Sequence, residues 1–286
     1  MIPAAFFLQH ASGSVQALAA QLASICAHAP APPHLYVSTP ELDPAARAGL
    51  ERTCEGFGAA LEFASAPAGG ADYPLAALEC LTATATASAC GLERAVVVLD
   101  DSIFLSDLAP LLELDLQGLM LAAVRDVKLM DNRRTVRALG ALVRDLPLPG
   151  PQAIFDPTLM VIDCRLWLEG HCMEHLTRQA AVLPAAARRG WCTSPAAAAL
   201  YRHLGGDYVA LPRSWGIPYQ YARLFLFEHS LKEGEMLRLR FNGPPGTQPW
   251  LDPDAEGAEL FYDCLERTPW STWVPSHRQG SSSSQP

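Results

Sequence analysis

The chain carries two adjacent carboxylates, Asp100 and Asp101, directly after the apolar run Val96-Val97-Val98-Leu99. A β-branched run of this kind reads as a buried strand, which puts the acid at its C-terminal edge. In open α/β sheets, ligands bind at that edge. Two carboxylates there can hold a divalent cation, and the cation can hold a phosphate. The alternative is a strand-end turn in which the two aspartates cap the following backbone.

A second constellation is His171-Cys172-Met173-Glu174-His175, which fits H-x-x-E-H, the inverted zinc-protease motif. Histidines at i and i+4 share a helix face. No neighbouring helix suggests the further acidic ligand, and an exposed polar helix face is the ordinary explanation. No G-x-S-x-G, G-x-G-x-x-G or Walker motif is present. The eight cysteines (Cys26, Cys54, Cys80, Cys90, Cys164, Cys172, Cys192 and Cys264) form no C-x-x-C pair. Their apolar neighbourhoods point to buried thiols in a reducing cytoplasm rather than to zinc.

The elements that would position these groups alternate between strand and helix. Ala4 to Leu8 reads as a first strand, and Val15 to Cys26 as a helix on Val15, Leu18, Leu22 and Ile25, stopped by Pro30-Ala31-Pro32-Pro33. His34 to Ser38 is a second strand, followed by a helix from about Thr39-Pro40 to Gly56. Leu61 to Phe63 is a third strand, and a helix over Leu75 to Ala89 leads into the Val96 strand. That alternation signals a parallel α/β sheet. Further on, a polar and basic stretch (Lys128 to Arg144) ends in Leu146-Pro147-Leu148-Pro149-Gly150-Pro151. A strand is expected at Leu159 to Ile162, turning into a helix by Trp167, then a helix at Ala196 to Leu204 and a strand at Tyr208 to Leu211. Residues 276–286 are low-complexity and are expected to be a disordered tail behind one domain over residues 1–275.

Composition sets the outer limits. The chain has 286 residues, 50% of them hydrophobic, enough for a sizeable core. A formal net charge of −9 argues against nucleic acid as partner, since that binding rests on Lys and Arg neutralising phosphates. No segment approaches the ~20 apolar residues of a membrane span, which leaves peripheral membrane association open. The start Met1-Ile2-Pro3 has no basic n-region, so no signal peptide is read.

The Asp100 segment continues through Ala109-Pro110-Leu111-Leu112-Glu113-Leu114-Asp115-Leu116 to Leu121-Ala122-Ala123-Val124-Arg125-Asp126. Read together, it resembles the donor-site segment of family 8 glycosyltransferases, V-x-Y-L-D-x-D-x-x-V-x-x-D-L-x-x-L-F-x-x-D-L followed by A-A-V-x-D. In that family the D-x-D aspartates bind Mn²⁺, which bridges the diphosphate of a UDP-sugar. Anchoring on Asp107-Leu108 places Asp101 on the second aspartate and Leu99 on the first. Anchoring on Leu99 places Asp100 on the first and Ser102 on the second. Further blocks follow in the family's order, so the resemblance spans roughly residues 4–250. Phe155-Asp156-Pro157-Thr158-Leu159-Met160-Val161-Ile162-Asp163, ending at Trp167, is similar to F-N-S-G-V-M-L-I-N-L-x-x-W, with Asp156 able to accept bonds from sugar hydroxyls. Leu211-Pro212 and Trp215-Gly216 match L-P-x-x-W-N, but Ala196-Ala197-Ala198 stand where D-Q-D belongs. Arg240-Phe241-Asn242-Gly243 through Gln248-Pro249-Trp250 is similar to H-[FY]-x-G-x-x-K-P-W. Arg240 replaces the metal-binding His there, and Gln248 the diphosphate-pairing Lys.

The resemblance implies a single α/β domain of GT-A type, a mostly parallel twisted sheet with helices on both faces. It implies hexosyl transfer from a UDP-sugar to a saccharide or glycolipid acceptor in envelope polysaccharide synthesis. Asp101 and Asp156 would then face the reacting sugar, Asp100 and Asp101 any Mn²⁺, and Asp100, Arg240, Gly243 and Gln248 the nucleotide diphosphate. The lost D-x-D carboxylate and the His-to-Arg240 change predict that binding depends little on metal, because a guanidinium cannot ligate one. Arg240 could instead pair with diphosphate, reinforced by Arg238 if Leu239 points the other way. The same losses fit a second reading, a degenerate, non-catalytic domain that binds a sugar, nucleotide or partner protein.

Overall fold

The computed structural model describes residues 5–10, 14–39, 41–65, 75–87, 92–125, 155–182, 200, 203–204, 206–219, 235–241, 246, 248–255 and 257–275. The basic stretch 128–144, the Pro-rich 146–151, Ala196 to Ala198, Gly243 and the 276–286 tail lie outside them.

The N-terminal half alternates as expected: β1 (Ala5–Gln9), α1 (Val15–His28), β2 (His34–Thr39), α2 (Pro44–Glu55), β3 (Ala60–Ser65), α3 (Leu75–Ala87) and β4 (Arg94–Val98). Local chemistry starts the helices. Ser14 accepts from the Ala17 amide, and Asp43 accepts from the Ala45 and Ala46 amides ahead of Pro44. The remainder is β5 (Ser102–Phe104), α4 (Ala109–Leu112), β6 (Leu121–Arg125), β7 (Phe155–Asp163), α5 (Cys164–Glu169), α6 (Cys172–Val182), β8 (Val209–Leu211), β9 (Ile217–Pro218), β10 (Arg238–Arg240) and α7 (Ala258–Leu265).

A seven-stranded sheet runs β3-β2-β1-β4-β7-β6-β8. β3, β2, β1 and β4 are parallel; β7 is antiparallel to both its neighbours, and β8 is parallel to β6. The period-two rule divides its side chains. Phe6, Leu8, Val96, Val98 and Val161 face α1, α2 and α7, whereas Phe7, Val97, Leu99, Met160 and Ile162 face α3, α5 and α6. Burial on both faces explains why β4 reads as an unbroken apolar run, each large side chain stabilising by about 1.5–3 kcal/mol.

A second sheet, β5-β10-β9, was not anticipated from the sequence. Its strands are two or three residues long, too short for an alternating signal. β7 also begins earlier than expected. It includes Asp156 and Pro157, because the register against β6 shifts between Ala123 and Val124. Such a bulge accommodates a proline that cannot donate to the ladder.

At the far end of the chain, Trp270 lies against Gly49 of α2, where an added Cβ would stand 2.5 Å from the ring. Six cysteines are described, all free thiols and buried or partly so. Burial pushes Cys164, Cys172 and Cys264 up to about 12, which makes them inert thiols.

Candidate functional site

The strand order changes direction between β1 and β4: from β1 the chain builds outward through β2 and β3, then returns to β1's other side. Ligands of open α/β sheets bind at such a switch point, beyond the C-terminal strand ends. Asp100 and Asp101 follow β4 there, and His10 follows β1. β7 is antiparallel to β4, so its beginning reaches the same edge and brings Asp156 alongside. β10 pairs antiparallel with β5, Arg240 opposite Ser102, which carries two arginines to the same place.

The result is a buried ion-pair network. Arg238 donates from Nη2 to Asp100 Oδ1, and Arg240 donates from Nη1 to Asp156 Oδ2. Arg240 Nε donates to Asp100 Oδ2 at 2.6 Å. Leu239, between the two arginines, packs in the core, so strand alternation sets both guanidinia on one side as expected. Arg238 is 0% exposed, and its remaining bonds run to Ser102 Oγ (3.0 Å), Thr158 O (3.2 Å) and Trp215 O (3.4 Å). The Asp156-Pro157-Thr158 bulge lets the Thr158 amide donate back to Asp156 Oδ1 at 3.0 Å.

Electrostatics follow from this packing. Burial alone would raise the Asp156 carboxyl, but Arg240, the Thr158 hydrogen bonds and Arg238 outweigh it and hold the group below its ordinary value. Burial draws Arg238 down to about 10, opposed by Asp100, which leaves it charged at neutral pH. Arg240 is also desolvated, but Asp156 and Asp100 more than offset that and raise it.

Asp101 is placed differently from Asp100. Its Oδ1 lies 3.5 Å from His10 Nδ1, with both side chains buried. That oxygen and both His10 ring nitrogens have no hydrogen-bond partner among the described residues. Helix α1 braces the same turn: Gln21 Nε2 donates to Asp100 O at 2.8 Å, and Ser24 Oγ accepts from the Phe104 amide at 3.1 Å. The Phe241 amide donates to Asp101 O at 2.9 Å, which ties the loop after β10 to the turn.

The structure therefore brings Asp100, Asp101, Asp156 and Arg240 to one strand edge. Gln248 lies in the loop after β10, its Oε1 accepting from the Gly246 amide at 3.0 Å. Sequence reasoning missed His10 and Gln21. A histidine directly after the first strand, and a glutamine within the apolar face of α1, were the available signals. The His171-Glu174-His175 group stays on the surface, with His171 3.6 Å from Glu174 and about 69% exposed. The His175 and His203 rings meet tilted at 33°, their centroids 4.3 Å apart. Among the described residues no group of three or more His, Cys, Asp or Glu is arranged to hold a metal ion.

By sequence, no protein-family model and no curated protein matches this chain. Its fold is similar to that of solved glycosyltransferases. The bifunctional glycosyltransferase WbbM, in its apo form, superposes with a TM-score of 0.71 at 13% identity, over 94% of this chain and 50% of that one. Apo GlyE of Streptococcus pneumoniae TIGR4 gives 0.65 at 14% identity, over 92% and 60%. The galactosyltransferase LgtC, in complex with donor and acceptor sugar analogues, gives 0.65 at 15% identity, over 96% and 99%. The chain thus spans half to three-fifths of WbbM and GlyE and nearly all of LgtC. At these identities the likeness is one of fold: a mixed α/β domain of the glycosyltransferase GT-A type.

Proposed function

We propose that this chain is a family 8-like glycosyltransferase domain that takes a UDP-linked sugar and transfers its hexosyl unit to a saccharide or glycolipid acceptor. The observation that carries the reading is the position of Asp101 and His10. Buried polar atoms without a hydrogen-bond partner among the described residues stand at the topological switch point of a GT-A-type fold, where hydroxyl groups of a ligand would satisfy them. Transfer requires stabilisation of the leaving diphosphate and of positive charge at the anomeric carbon. In this reading Asp101 contributes negative potential on the sugar side, and Asp156, paired with Arg240, faces the same side. Asp100, Arg240, Gly243 and Gln248 are assigned to the diphosphate side by the order of the family's blocks. The buried free thiols accord with action in a reducing cytoplasm.

A second reading is favoured by one specific observation. Asp100, Asp156 and Arg240 are engaged with one another, an arrangement suited to a domain that binds a sugar or nucleotide without turning it over. Incubation with a panel of UDP-sugars and saccharide acceptors, followed by UDP release, separates the two. Released UDP supports transfer. Calorimetric UDP binding without release supports the binding domain, and neither signal removes the nucleotide reading altogether.

A further inference from the structure

The family resemblance implies Mn²⁺ shared by Asp100 and Asp101, and Asp100 is not free to share it; Asp101 and His10 keep open donor atoms, but among the described residues no third His, Cys, Asp or Glu joins them to hold a metal ion. Both Asp100 oxygens accept from guanidinium groups, Oδ1 from Arg238 and Oδ2 from Arg240. Asp156 Oδ2 accepts from Arg240, and its Oδ1 accepts from the Thr158 amide. The residue in register with Ser102, on the strand that reaches this edge from the far end of the chain, is an arginine, which stays protonated and offers no lone pair. A divalent cation seated on Asp100 would stand beside two fixed positive charges, in a region where burial weakens screening. Hard cations also require several unencumbered oxygen ligands.

We infer that Arg238 and Arg240 replace the divalent cation: the Asp100–Asp156 site is saturated by guanidinium and takes neither Mn²⁺ nor Mg²⁺. Two guanidinia balance the two carboxylates they touch, so the network is neutral without any ion. What a metal does elsewhere, holding several carboxylates in one place, is done here by covalently tethered cations on β10.

The test is titration of the nucleotide-free full chain with MnCl₂, followed by Mn²⁺ electron paramagnetic resonance. The wild type is expected to bind no Mn²⁺ tighter than about 1 mM. Arg240→His frees Asp100 Oδ2 and Asp156 Oδ2 and adds a ring nitrogen. That variant is expected to bind Mn²⁺ at least about tenfold more tightly than wild type. One Mn²⁺ bound by wild type below about 0.1 mM, and lost in Asp100→Asn, would overturn the inference. So would a folded Arg240→His protein with no gain in Mn²⁺ affinity. If Arg240→His does not fold, the wild-type titration decides alone.

Discussion

His10 and Asp101 face each other across the switch point, Nδ1 to Oδ1 at 3.5 Å, the ends of two neighbouring parallel strands joined by a buried polar contact too long for a hydrogen bond. Neither ring nitrogen of His10 has a hydrogen-bond partner among the described residues. Removing such groups costs the fold little, because His10 Nδ1, His10 Nε2 and Asp101 Oδ1 make no hydrogen bond among the described residues. His10→Ala and Asp101→Ala are therefore expected to melt within about 2 °C of wild type. UDP affinity should fall by about tenfold or more in each. Calorimetry and a thermal melt check both halves. A large drop in melting temperature with unchanged UDP affinity would assign Asp101 to backbone capping instead.

The Arg238 contacts predict a charge-count effect on stability. Arg238→Met leaves the network one positive charge short in a fully buried position, and should cost about 3–5 kcal/mol. Adding Asp100→Leu restores the balance, leaving Arg240 with Asp156. The double variant should then be more stable than Arg238→Met alone, as measured by urea denaturation. A double variant no better than the sum of its parts would show that the two charges are not energetically coupled.

Asp156 gives a pH dependence whose sign can be worked out. Its folded-state pKa is depressed, so the unfolded chain binds the proton more readily. The stabilisation is fully present above the unfolded carboxylate value of about 3.9 and is lost as pH falls through the lower folded value. Wild type should lose melting temperature between about pH 5 and pH 2 more steeply than Asp156→Asn. Parallel curves for the two proteins would remove Asp156 as a source of acid sensitivity.

Gly49 predicts a packing conflict. Within a helix, Gly→Ala normally stabilises by about 1 kcal/mol. Here the new methyl would meet the Trp270 ring at 2.5 Å, so Gly49→Ala should instead destabilise. In a Trp270→Ala background the same change should regain its helix-forming benefit. A chemical-denaturation double-mutant cycle measures the sign change.

The parallel sheet was legible because β1, β2 and β4 are short apolar runs separated by helices with recognisable starts and stops. Asp100 and Asp101 were legible for the same reason: acid directly after a buried run marks a strand end. The smaller sheet was hidden, since Arg238-Leu239-Arg240 has the composition of a solvated surface, and only pairing with β5 makes it interior. Arg240 was singled out through the order of the family's blocks, but its partners were not. The Arg240–Asp156 contact depends on β7 being antiparallel to β4, and both arginines reach Asp100 only through β10 pairing with β5, which no local pattern encodes. His10 was missed because one histidine after a strand carries no periodic signal.

The arginines of β10 lie 138 and 140 residues after the Asp100 they neutralise. At synthesis rates of about 5–20 residues per second, Asp100 emerges about 7–30 s before Arg240 exists. During that interval the end of β4 cannot dehydrate, since its carboxylates have no counter-charge. This edge waits for a closure between distant parts of the chain, which is inherently slow. The network therefore forms only in chains that have been made as far as Arg240.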